Sequence, residues 1–146
     1  MNKPKLIFIL FLSMIWTSYA HATPESKPFA EERIVLQLSD NDPSKQTLVL
    51  NVANNLIKHY GPDKVDIEIV TFGPGLRLLF KENSNHSRID GLSNQGVTFA
   101  ACQNTLKKMT SLLGHSPALS EHATPVSAGV VRIIELEGSG YKLIKP

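Results

Sequence analysis

The stretch Val97–Leu113, VTFAACQNTLKKMTSLL, decides the fold. Its first residues are apolar but for Thr98, and Gly96 precedes them. A short run of that kind reads as a strand covered on both faces, the pattern of a parallel sheet. Then the period changes. Leu106, Met109, Leu112 and Leu113 recur at helical spacing, and Gly114 stands where a C′ glycine ends a helix. Asn104 is the expected N-cap. Cys102, the chain's one cysteine, sits at the join. That places it at the carboxyl end of a strand beside a helix N-terminus, the edge where open α/β sheets hold their ligands. Unpaired N–H groups and the helix dipole favour an anion there, which gives a thiol thiolate character. Against this stands the ordinary fate of a free cysteine, a small hydrophobe packed in the core. Position alone leaves both readings open.

Upstream, Arg33–Leu38 (RIVLQL) reads as the first strand. Asp42 and Pro43 then form an N-cap and N1 pair, because proline's missing N–H costs nothing in the first turn. The helix runs to about Tyr60 with Val49, Val52, Ala53, Leu56 and Tyr60 as its buried stripe, and Gly61-Pro62 stops it. Val65–Thr71 is the second strand. Val65, Ile67 and Ile69 share one face, and Asp66 and Glu68 the other, which predicts a strand that is half exposed or lines an interface. Phe72-Gly73-Pro74-Gly75 is a tight turn into a short helix Leu76–Phe80, and its glycines permit a close backbone approach. A short helix over Ser87–Gln95 precedes the Cys102 unit.

Downstream come a brief strand near Pro125–Ser127, a helix Ala128–Glu137 with Val130, Val131, Ile133 and Ile134, and a last strand Tyr141–Ile144. Strands alternating with helices imply a flavodoxin-like three-layer α/β sandwich of about five mostly parallel strands with flanking helices. In it, the carboxyl ends of the first three strands carry Asp40–Asp42, Gly73–Gly75 and Cys102–Asn104 to one edge. The candidate binding residues are therefore Asp40, Asn41, Gly73, Gly75, Asn104 and Thr105 around Cys102.

The chain has 146 residues, and its first 22 have the three parts of a secretory signal. Lys3 and Lys5 form a basic start, Leu6–Trp16 is apolar but for Ser13, and Ala20-His21-Ala22 fits the small-x-small cleavage pattern. The apolar run is short beside the ~20 residues of a membrane span. The expectation is an exported, periplasmic protein with no membrane attachment after cleavage; the alternative is a leader kept as an anchor. A loose arm is expected over 23–32 and a single domain over 33–146. The leader removes two of the 15 basic residues and none of the 13 acidic ones, so the remainder is nearly balanced in charge. No basic stripe with interleaved aromatics is present, which argues against nucleic acid.

One cysteine permits no intramolecular disulfide, leaving a buried thiol, a reactive thiol or a link between chains. No GxGxxG or GxxxxGK[ST] supports a nucleotide cofactor. His59, His86, His115 and His122 show no C-x-x-C or H-E-x-x-H spacing, so neither a metal nor a cofactor is expected. No histidine is marked as the base of a Cys-His hydrolase, and no arginines stand around Cys102 as a rhodanese-like loop would require.

Three pieces of the chain, Val65–Leu76 (V-x-I-E-I-V-x-x-G-P-G-L), Gly96–Leu106 (G-V-x-F-x-A-C-x-N-T-L) and Ala128–Pro146 (A-G-V-V-x-I-I-x-L-x-x-x-G-Y-x-L-I-x-P), are similar to the small single-domain branch of the DsrE/DsrF-like proteins. The resemblance spans nearly the whole chain after the leader. It implies a flavodoxin-like fold and homo-oligomers, often trimers or hexamers. It also implies a cysteine that carries sulfur as a persulfide between a donor and an acceptor protein, a role open here only to Cys102, with the Asn104 and Thr105 N–H groups as donors to the persulfide. The better-understood relay proteins are cytoplasmic and surround their cysteine with a different sequence. The alternative is a non-enzymatic ligand-binding or assembly module with a structural cysteine.

Overall fold

The computed structural model describes residues 27–146, so the leader and the first residues of the arm lie outside the described residues. Ten elements alternate along the chain: β1 (Glu32–Leu38), α1 (Pro43–Tyr60), β2 (Val65–Thr71), a 3-10 helix (Gly73–Leu79), α2 (His86–Ser93), β3 (Thr98–Cys102), α3 (Gln103–Leu113), β4 (Ala123–Val126), α4 (Gly129–Gly138) and β5 (Lys142–Ile144). The strands form one sheet in the order β4-β3-β2-β1-β5, and every pairing is parallel. The flavodoxin-like α/β class expected from the alternation is the fold observed.

The two faces of the sheet are covered unequally. Ile34, Leu36, Leu38, Ile67, Ile69 and Phe99 point to one face and pack with Val49, Leu50 and Ala53 of α1, Ile89 and Leu92 of α2, and the leucines of the 3-10 helix. This is the main core. On the other face, Val35, Val70 and Ala100 meet only Ile133 and Leu136 of α4, with Phe72, Val126 and Tyr141 at the margin. Polar ties do much of the work there. Arg132 grips Glu68 with a bidentate pair, Nε and one terminal nitrogen each donating at 2.7 Å, and the Tyr141 hydroxyl donates to Asp66 at 2.7 Å.

Those ties correct the expectation for β2. Its alternating pattern predicts an exposed polar face, yet the whole strand is buried. The strand is central, α4 crosses its polar side, and each carboxylate has a partner, which is the condition for burying a charge. One further correction concerns a helix. Asn104 is not the N-cap of α3; Cys102 is, and Asn104 lies one residue inside the helix. The apolar residues of α3 are unequally covered: Leu106 and Met109 rest against the main core, while Leu112 and Leu113 are exposed. Asp42 caps α1 as expected, accepting from the Ser44 N–H at 2.8 Å.

The arm is fastened from its first described residue. Lys27 Nζ donates to the carbonyls of Pro62, Val65 and Gln95, and its backbone N–H to Asp66 at 3.2 Å. At the opposite edge, Gly75 has its own reason. A Cβ there would stand 2.3 Å from the Leu38 carbonyl oxygen, so the turn after β2 lies directly on the end of β1. The close approach read from the Gly73–Gly75 turn is to backbone.

Candidate functional site

A parallel sheet delivers the N-terminus of every following helix to its carboxyl edge. Two of those helices converge on Cys102. The residue ends β3, caps α3, and is 5% exposed. Counting along β3, Cys102 faces the same side as Ala100, the α4 side. Burial pushes its thiol up. The Thr105 hydroxyl and the backbone N–H groups of Thr105, Gly129 and Asn104 pull it down more strongly, and the net result lies below the ordinary thiol value. Asn104 and Thr105 open α3, and Gly129 opens α4. Those groups belong to the first turns of two helices, and they lower the thiol from beside the sulfur, with no capping hydrogen bond made by the Cys102 side chain.

Thr105 ties the site together. Its Oγ1 accepts from the Gly73 N–H at 2.8 Å, which leaves its own proton to face Cys102. Gly73 has φ 52, a backbone setting that favours glycine, so the turn after β2 can aim that N–H at Thr105. Gly129 is fixed from behind by Phe72, whose Cδ1 would lie 2.8 Å from a Cβ at that position. The chemistry available is that of a sheltered anion holder. A thiolate, or a longer anion built on it, meets several N–H and O–H donors.

Of the residues expected at this edge, the structure brings together Cys102, Asn104, Thr105 and Gly73; Asn104 takes part through its backbone. Gly75 packs on Leu38, and Asp40 is exposed. Asn41 lines a separate cavity beside α1. Gly129 and Phe72 are additions that the sequence reading lacked. The signal for Gly129 was present: it opens the helix after the fourth strand, so the logic that placed Asn104 and Thr105 at the edge applies to it as well.

The histidines lie elsewhere. His122 Nε2 is 3.0 Å and His86 Nδ1 3.6 Å from Asp90 Oδ1, and His115 Nδ1 is 3.2 Å from the Leu113 carbonyl. No group of three metal-ligating side chains is placed to hold an ion among the described residues.

The sequence matches no family model and no curated protein. Among solved structures, BT1422 from Bacteroides thetaiotaomicron, a conserved protein of unknown function, is similar at 15% identity and a TM-score of 0.50, over 79% of this chain and 95% of that one, a likeness of fold alone. MTH1491 from Methanobacterium thermoautotrophicum, also of unknown function, is similar at 29% identity and a TM-score of 0.72, over 80% of this chain and 100% of that one. The described chain therefore shares its architecture with two solved proteins that bring a fold and no activity.

Proposed function

We propose that this protein is an exported sulfur carrier of the DsrE type, with Cys102 as the persulfide acceptor. The observation that supports it is the position of Cys102 at the end of β3 and the start of α3, where the first turns of α3 and α4 and the Thr105 hydroxyl lower the thiol despite burial. In the proposed step the Cys102 thiolate attacks the outer sulfur of a donor persulfide. The donor's S–S bond breaks, the donor leaves as a thiolate, and a new S–S bond forms at Cys102. Charge is conserved and no external oxidant is needed. Attack on the outer sulfur by an acceptor thiolate reverses the process and empties the site. Asn104, Thr105 and Gly129 hold the persulfide anion between the two events.

The leader-like sequence of the first 22 residues supports a periplasmic setting for this chemistry, and the resemblance supports a homo-oligomer, trimer or hexamer. The outward residues of α4 support self-association: Val130, Val131 and Ile134 are exposed apolar side chains on one helix, with Ile134 63% exposed, and Leu143 and Ile144 on the neighbouring edge strand β5 add to them. A second reading, a binding or assembly module with a structural thiol, is favoured by the 5% exposure of Cys102.

One experiment separates the two. Native protein treated with polysulfide, then desalted and digested, is expected to carry an added mass of about 32 Da, one sulfur atom, on the Cys102 peptide. A small acceptor thiol is expected to remove it. An increment that forms only after denaturant would leave the binding-module reading in place.

A further inference from the structure

A second concentration of uncommitted polar groups lines a cavity of about 390 Å³ between the first turn of α1, the end of the 3-10 helix and the loop before α2. Cys102 is not among its walls. The volume falls within the ~300–1,000 Å³ of small-molecule sites. Gln46 lines it and is only 5% exposed. Its Oε1 accepts from Asn83 Nδ2 at 3.0 Å, and its NH2 has no protein partner among the described residues. Asn83 is in turn held by the Arg77 carbonyl, to which Nδ2 also donates at 2.9 Å, and by the Asn85 N–H, which donates to Oδ1 at 2.9 Å. The Gln46 amide is therefore fixed from one side and open on the other.

Two opposite charges share the cavity. Arg77 and Glu82 both line it, and neither has an ion-pair partner among the described residues. The Arg77 guanidinium lies 5.7 Å from the Phe80 ring centroid, a cation–π contact that holds it against an apolar wall. A phosphate is not the natural guest. The adjoining N-terminus of α1 is already filled by Asp42, which accepts from the Ser44 hydroxyl at 2.7 Å and the Ser44 N–H at 2.8 Å. Those bonds keep its carboxyl below the usual range, so a fixed negative charge stands where an anion would bind. A matching guest carries one carboxylate, one cation and little net charge. We propose that this cavity binds a free α-amino acid as its zwitterion, with the carboxylate in the planar fork of Arg77, the ammonium at Glu82 and a polar side chain on the Gln46 amide.

The test is a backbone-amide NMR titration of the protein with each standard amino acid. Analogues of the strongest binder that lack the ammonium or the carboxylate then follow. At least one amino acid is expected to shift the signals of residues 41–47 and 77–85 together, and each analogue to bind at least about tenfold more weakly. Arg77→Gln and Glu82→Gln replace exposed side chains and leave the core intact. Arg77→Gln is expected to erase the preference for the carboxylate, and Glu82→Gln that for the ammonium. The proposal is overturned if no standard amino acid at about 10 mM moves those signals. It is equally overturned if the analogues bind as well as the parent, or if inorganic phosphate or maltose saturates the cavity in preference.

Discussion

Arg132→Met is expected to cost the protein about 3 kcal/mol or more of stability, because it leaves a buried carboxylate alone. Glu68 lies on the central strand with its side chain 5% exposed, and its two oxygens are occupied by Arg132 at 2.7 Å each. Little else on that face compensates. The apolar contact between α4 and the sheet rests on Ile133 and Leu136, and the rest of the helix's hydrophobic side chains point outward. For a domain of this size the loss corresponds to a drop in Tm of roughly 10 °C. The double variant Glu68→Met with Arg132→Met is the sharper measurement. It removes both charges and keeps the volume, so it is expected to return to within about 1 kcal/mol of the parent. Urea denaturation of the parent, the single and the double decides it. If the single is no less stable than the double, the pair is not what fastens α4, and the small apolar cluster is sufficient.

The same pair shows where sequence reasoning stopped. The element order, the Asp42 cap, Gly114 as the stop of α3 and the parallel sheet all follow from local signals within a few residues of each feature. Burial of β2 does not. Asp66 and Glu68 look solvent-facing by period, and partners distant in sequence, Lys27 and Tyr141 for Asp66 and Arg132 for Glu68, make their burial tolerable. An alternating strand is half-exposed unless something crosses its polar side, and no local pattern announces the crossing. On α3 the limit is different. Leu112 and Leu113 keep helical spacing, but α3 packs against β3 and the 3-10 helix, and its last turn carries exposed leucines. Spacing shows which residues share a face and is silent on how far the support beneath them reaches.

The site was legible in half. Cys102, Thr105 and Gly73 belong together because strand ends in a parallel sheet share an edge, and the alternation of elements is enough to place them there. The link between them was not legible, since it depends on Thr105 accepting one proton from Gly73 while offering its own. Gly75 has the same residue type as Gly73 and a different reason, a backbone contact with Leu38 that only the packed structure reveals.

That link yields the second large effect. Cys102→Ser is expected to abolish sulfur loading completely, as any acceptor cysteine would, so the variant tests the residue and leaves the environment untested. Thr105→Val tests the environment, because it keeps the shape of the side chain and removes the hydroxyl. In the parent the folded thiol lies below its ordinary value, so iodoacetamide reaction at Cys102 is expected to reach half its maximal rate at a lower pH than in the unfolded chain. Thr105→Val is expected to move that midpoint upward and to slow the reaction near neutral pH. Thr105→Ser restores the donor and is expected to restore the midpoint. A matching signature belongs to stability. A thiol depressed in the folded state stabilises it fully above the unfolded value, and that contribution is lost as pH falls through the folded one. Stability in the parent should therefore rise across that interval, and the rise should shrink in Thr105→Val. If Thr105→Val alkylates with the parent's profile, the hydroxyl does not act on the sulfur. The case for an anion holder would then rest on the N–H groups of Asn104, Thr105 and Gly129 alone.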